Sequence, residues 1–220
     1  MNDTALVWFC DLDDDRHDPS VLSAVERARA ERLKSARQRR RFVARCAVAR
    51  HVLATPVGVA PLALEFRDDA HGKPRLAFLP SVSGTHLTRL NFNLSHTENV
   101  LALAVAFGRE VGIDIEAVRP VVDVLAVAET QFAAEEFGWL RALPARERLV
   151  AFYRLWTRKE ALAKVDGRGL ASRAADEPAA DSEWTLDSFE LKLGETDIVG
   201  ALALGDPVAT ANDPPRLQTC

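Results

Sequence analysis

Cysteine is scarce in this chain. Cys10, Cys46 and Cys220 are the only three, and they lie far apart. They form neither a disulfide framework nor a zinc-ligand pattern, which fits a reducing compartment. Long hydrophobic runs are also missing: "LALAVAF" at 101–107 is too short to span a bilayer and reads as a buried strand. The opening "MNDTALVWFCDLDDD" lacks the basic start and long apolar run of a signal peptide, so a cytoplasmic location is expected, with no membrane partner. Basic charge is not in excess. The formal net charge of −4 gives no support to a globally basic nucleic-acid binder. No G-x-S-x-G elbow occurs, which argues against a serine hydrolase. "DLDDD" at 11–15 lacks the glycine and distal glutamate of an EF-hand loop and reads as a solvated loop.

What is present suffices for a core: 48% of the 220 residues are hydrophobic, enough for one domain or two closely packed halves. An opening strand is expected over 4–12 and a long helical region over about 19–55, ended by "TPVGVAP". "LALEFRDDAHGKPRLAF" reads as strand, turn and second extended piece. "NFNLSHTENVLALAVAFGREVGIDIEAV" reads as three strands, with Ser95 and His96 in the first turn and "GRE" as a hairpin connection. Beyond Pro120 the pattern is helical through "VVDVLAVAETQFAAEEFGWLRAL". A second helix follows from about 145 to 165, stopped by "DGRGL". "ASRAADEPAADSE" is a polar loop, "WTLDSFELKLG" and "IVGALALG" are late strands, and "GDPVATANDPPRLQTC" is a loose tail. The order is α+β, and by element order alone it admits an internal duplication.

Six residues pose the chemical question. In "VGIDIE" at 111–116, Val111, Ile113 and Ile115 alternate with Gly112, Asp114 and Glu116. The two acids therefore share one strand face, where like charges repel unless a cation lies between them. The ordinary reading is a half-exposed edge strand with its acids facing water; the sharper one is a hard cation held with Glu160, since Mg²⁺ prefers oxygen ligands. Glu160 and Lys164 lie one helical turn apart and would ordinarily form a weak surface ion pair. Ser95 and His96 read as a polar turn or as anion contacts. Lys73 in "HGKPRL" is by itself a cation in a turn. Lys34, Arg37, Arg41 and Arg45 line one helix stripe beside an apolar stripe of Phe42, Cys46, Ala49 and Leu53. Such a stripe is usually a solvated face, and Arg forks also suit phosphate.

Taken in order, "GKP", "FNLSH", "GIDIE" and "FYRLWTRKEALAK" followed by "GRGL" resemble the Sfp-type 4′-phosphopantetheinyl transferases over residues 45 to about 170. The resemblance implies transfer of the phosphopantetheine arm of coenzyme A to a serine of an acyl or peptidyl carrier protein, releasing adenosine 3′,5′-bisphosphate. It implies Mg²⁺ held by Asp114, Glu116 and Glu160, with Glu160 also the candidate base, directly or through a water. Lys159 and Lys164 match lysines expected at the pyrophosphate, Lys164 aiding the departing oxygen. Arg45 and His96 match positions for the 3′-phosphate; Lys73, Pro74 and Ser95 match segments around the adenine. Phe132 belongs to an apolar surface expected to receive the carrier, and Glu136 matches a recurrent acid that could equally be structural.

The implied fold is monomeric α+β, built as two similar, pseudo-symmetric halves with the active site in the cleft between them. The halves are expected at 1–109, with the 3′-phosphate and adenine contacts, and 110–220, with the metal acids, the "KEA" helix and the carrier surface. The rival readings are a Mg²⁺-dependent nuclease or nucleotidyl hydrolase and a non-catalytic coenzyme A or RNA binder.

Overall fold

The run "VLALAVAF" folds as the strand its composition demands, β5 (Val100–Phe107), buried at all but its last residue. Its two faces differ in size. Leu103 and Val105 meet a helix, whereas Val100, Ala102, Ala104 and Ala106 present small side chains that let a second sheet approach closely. In this computed structural model residues 5–70, 72–77, 90–120, 123–166 and 184–207 are described. Thr4 of the expected first strand, His71, the glycines after "VD", the polar loop and the tail with Cys220 lie outside them.

β5 is the centre of an antiparallel three-stranded sheet, flanked by β1 (Leu6–Asp11) and β4 (Leu90–Thr97). Ser95 and His96 sit inside β4, opposite Ala102 and Leu101, not in a turn. The turn comes at Glu98, which takes the left-handed conformation (φ 49°) that closes this short hairpin.

β6 (Arg109–Ala117) is not the hairpin partner of β5. It pairs with β8 (Thr196–Pro207), which pairs with β7 (Trp184–Leu193), giving a second antiparallel sheet. Both edges of β5 are already taken by β1 and β4, so the chain turns at Gly108 (φ 70°) and begins a new sheet. The strand and the second extended piece expected around "HGKPRL" pair as a small antiparallel hairpin, β2 (Phe66–Asp68) with β3 (Pro74–Leu76).

The first helical region divides into α1 (Ala24–Glu31) and α2 (Ala36–Val57), after a short 3₁₀ turn at Pro19–Val21. Ser23, reciprocated by Glu26, and Ser35 cap the two starts, and a serine at such a position stabilises a new helix end better than a through-going one. Ala49, Leu53 and Val57 of α2 pack on Phe92, Leu103 and Val105 of the first sheet. Arg50, from the arginine-rich run, is buried and bonded to Glu26 and to the carbonyls of Pro61 and Leu64, so it is structural.

Beyond Pro120 there are again two helices where one was expected, α3 (Val124–Gln131) and α4 (Ala134–Ala142). The break falls at Phe132, whose ring turns into the core against Phe152. Phe132 is therefore not a surface residue for a carrier; on α4 it is Trp139 that stands exposed. The last helix, α5 (Ala145–Asp166), lays Ala161, Leu162 and Val165 on Ala201 and Ala203 of β8.

Candidate active site

The glycine of "GIDIE" sets the site. A Cβ on Gly112 would stand 2.1 Å from the carbonyl oxygen of Ala161, so α5 crosses β6 in near-backbone contact. That crossing delivers Lys164 to Asp114: its Nζ lies 2.6 Å from Asp114 Oδ1 and 3.3 Å from the carbonyl of Ile113. The expected Glu160–Lys164 surface pairing gives way to this ion pair between elements.

Asp114 is buried although β6 is an edge strand of its sheet, which overturns the reading that its side chain faces water. Its Oδ1 also accepts from Ser95 Oγ at 2.8 Å, while Oδ2 is buried and has no hydrogen-bond partner among the described residues. Glu116 Oε2 accepts from Thr97 Oγ1 at 3.1 Å. Burial first, and the Asp114 charge second, push the carboxyls of Glu116 and Glu160 above the usual range. Asp114 is thus the acid to which both glutamates couple.

Among the described residues no three His, Cys, Asp and Glu side chains form a ready metal cluster. The donor chemistry nonetheless fits Mg²⁺, which takes one or two carboxylates and fills its octahedron with waters and phosphate oxygens. An orphaned buried carboxylate oxygen is a costly feature that such a cation would satisfy.

A cavity of about 560 Å³ opens beside Glu116, between α2 and the ends of β4 and β6. Arg41, Arg45, His96, Glu116 and Arg119 line it. Arg45 stacks over Phe42 at 5.2 Å and forms no salt bridge among the described residues. Partial burial, then the charges of Arg45, Lys164 and Arg41, lower the pKa of His96 and favour its neutral form. Arg41 is fixed by Asp13, with Nε and Nη2 each 2.7 Å from one carboxylate oxygen, and by the Glu98 carbonyl at 2.6 Å. Arg37 joins Asp13 at 3.2 Å. Asp13 of the "DLDDD" loop is therefore a positioning group for the basic helix. Its sequence signal, one acid among four, could not separate it from its neighbours.

The other expected site residues are placed differently. The Lys73 ammonium is buried against the carbonyls of Val111, Lys164 and Val165 at 3.0, 2.7 and 3.0 Å. It ties the end of α5 to β6, and burial drops its pKa to about 8. Neighbouring Pro74 begins β3 and is half-buried. Ser95 is committed to Asp114 rather than to the cavity. Lys159 pairs with Glu136 at 2.9 Å and lies over the Phe132 ring, on the side of α5 that faces α4. Glu136 also caps α4 through the Ala133 amide at 2.9 Å, the structural role left open for it. Lys34 is not among the cavity-lining residues.

Comparison with known proteins bears on the same residues. Residues 110–204 match the model of the 4′-phosphopantetheinyl transferase superfamily. The chain is 36% identical over 175 residues to the 4′-phosphopantetheinyl transferase HetI of Nostoc sp., covering 78% of this chain and 72% of HetI. Over 174 residues it is 33% identical to the 4′-phosphopantetheinyl transferase psf-1 of Bacillus pumilus, covering 79% of this chain and 65% of psf-1. The Bacillus subtilis 4′-phosphopantetheinyl transferase is 28% identical over 174 residues, covering 79% of this chain and 67% of that one.

Proposed function

The chain belongs to the 4′-phosphopantetheinyl transferase family, and on that premise we propose how its residues divide the work. The activity is transfer of the 4′-phosphopantetheine arm of coenzyme A to a serine of an apo carrier protein. Asp114, through its orphaned Oδ2, would hold Mg²⁺ with Glu116 and Glu160 against the coenzyme A pyrophosphate. That unpartnered buried oxygen is the observation that carries the reading. The ion, when bound, neutralises charge on the phosphate under attack and on the leaving group.

The chain's own groups supply the rest. Arg45 and His96, facing the cavity, take the 3′-phosphate. Pro74 and the backbone around Lys73 border the adenine, since the Lys73 ammonium is committed elsewhere. Glu160 accepts the proton of the incoming serine as its oxygen bonds to the β-phosphorus. Burial suits it to the task by raising its basicity. Lys164 donates to the bridging oxygen as the pyrophosphate P–O bond breaks and adenosine 3′,5′-bisphosphate departs. Lys159, paired with Glu136, supports α5 and α4 from the far side and would reach the pyrophosphate only by leaving that pair.

The two-half arrangement, 1–109 and 110–220 with coenzyme A between them, belongs to the same proposal. It is supported by a parallel between the two sheets: each has three strands and a 22-residue helix packed on one face. A cytoplasmic monomer is the form proposed. The test is transfer of a fluorescent phosphopantetheine arm from labelled coenzyme A to apo carriers of the fatty-acid, polyketide and nonribosomal-peptide types, with and without Mg²⁺. Label on a carrier serine only when Mg²⁺ is present is the expected result. Absence of transfer to every carrier, accompanied by phosphodiester cleavage, would favour a nuclease; coenzyme A binding without turnover would favour a binder.

A further inference from the structure

β4 and β6 run side by side without joining one sheet, because β6 pairs with β8 and β4 with β5. Backbone amides of β6 on that seam need partners, and β4 supplies them from its side chains. Asn93 Oδ1 accepts from the amide of Ile113 at 3.0 Å, Ser95 Oγ from Ile115 at 3.3 Å, and Thr97 Oγ1 from Ala117 at 3.1 Å. The three residues alternate along β4, all are buried, and together they form a comb that stands in for a strand ladder.

Two teeth of the comb do more than hold the seam. A hydroxyl that accepts from an amide still has a proton to give. Ser95 gives its proton to Asp114 and Thr97 gives its proton to Glu116, in each case the residue just before the amide the hydroxyl caps. Each acid thus has one oxygen pinned from β4. The pinned oxygen is Oδ1 of Asp114 and Oε2 of Glu116, leaving Oδ2 and Oε1 to meet a cation. The third tooth, Asn93, caps its amide, and among the described residues the bonds from β4 to the two acids come from Ser95 and Thr97.

We propose that Thr97 is a positioning residue for divalent-cation binding: its hydroxyl, anchored by the Ala117 amide, sets the rotamer of Glu116 as Ser95 sets that of Asp114. The proposal rests on the reading that Glu116 is a metal ligand. Groups that orient a ligand's carboxylate are worth about 10- to 100-fold in metal affinity. Thr97→Val keeps the shape and removes both hydrogen bonds, Thr97→Ser keeps both, and Asn93→Ala removes a seam bond of the same kind without reaching an acid.

The experiment measures Mn²⁺ binding to the intact protein with coenzyme A and no carrier, by the electron paramagnetic resonance of free Mn²⁺. Hydrogen exchange of the Ala117 amide is followed in parallel. Thr97→Val is expected to weaken Mn²⁺ about 10-fold and to speed exchange at Ala117, Thr97→Ser to restore both, and Asn93→Ala to leave Mn²⁺ affinity unchanged. Equal Mn²⁺ affinity in Thr97→Val and the unsubstituted protein, with Glu116→Gln weakened, overturns the proposal alone. Equal weakening by Thr97→Val and Asn93→Ala also overturns it, since loosening of the seam then accounts for both. Unchanged affinity in Glu116→Gln overturns the ligand reading beneath it. If Thr97→Val does not fold, Thr97→Ala takes its place, judged by the same comparison with Asn93→Ala.

Discussion

Lys164 on α5 and Asp114 on β6 form an ion pair with Nζ 2.6 Å from Oδ1, and the Asp114 side chain is only 6% exposed. The cation missing from "VGIDIE" is, in the protein alone, this ammonium. It satisfies one oxygen of Asp114 and leaves the other, so the ion pair and a metal do not compete for the same atom. Removing one partner of a buried pair strands the other's charge.

Lys164→Met is therefore expected to destabilise the fold by about 3 kcal/mol in the absence of divalent cation, as well as to abolish most transfer. Adding Asp114→Asn to that variant should recover part of the stability and none of the activity. Urea unfolding of the two single variants and the double variant checks the coupling. Additive losses would show that the two groups do not interact.

Gly112→Ala tests whether close helix–strand contact builds the site. The new Cβ would meet the Ala161 carbonyl at 2.1 Å and the Val165 amide nitrogen at 2.8 Å, both backbone atoms that cannot swing aside. A stability loss of about 1–3 kcal/mol is expected from the overpacking, with transfer lowered at least ~10-fold because α5 carries Glu160 and Lys164 away from Asp114. Thermal unfolding and the transfer rate report the two effects, and full activity in a folded variant would refute the geometry.

Arg45 faces the cavity with a stacking partner and no salt bridge among the described residues. Arg45→Ala is expected to weaken coenzyme A about 10- to 100-fold, the worth of a charge-assisted hydrogen bond, and to leave dephospho-coenzyme A nearly unchanged. Calorimetric titration with both ligands separates these outcomes. Equal losses would place the 3′-phosphate elsewhere.

Glu116 and Glu160 give a pH dependence whose sign is fixed by burial. Both carboxyls are raised above 4.5 in the folded protein, so the folded state holds protons that the unfolded state has released. Their contribution to stability is full below pH 4.5 and is lost as pH rises from there through the raised folded-state values. Glu160→Gln should flatten that decline, and Mg²⁺ with coenzyme A should offset it by binding the charged form. Unfolding midpoints across the acidic range, with and without Mg²⁺ and coenzyme A, test both statements.

Much of the arrangement is legible in local sequence. Alternation in "VGIDIE" marks one strand and the apolar run "LALAVAF" marks a buried one, and both are observed. The helical spacing of Glu160 and Lys164 and the apolar positions Ala49 and Leu53 on α2 also hold. Local pattern fails where the alternatives differ only in distant partners. "GRE" looks like a hairpin turn because two strands flank it, yet strand pairing depends on which edges β1, β4 and β8 have already taken. Phe132 is expected on a carrier-facing surface by resemblance, but a helix break there turns the ring into the core.

Residue types, their shared face and their order are local properties, since period and motif belong to neighbouring residues. The partners come from the way the elements pack. That packing gave Lys164 to Asp114 rather than to Glu160, spent the Lys73 ammonium on the end of α5, turned Asp13 to Arg41, and set Thr97 beside Glu116. Hydrogen bonds and ion pairs act over a few ångströms in space between residues far apart in the chain, so their pairing follows from how the sheets and helices meet.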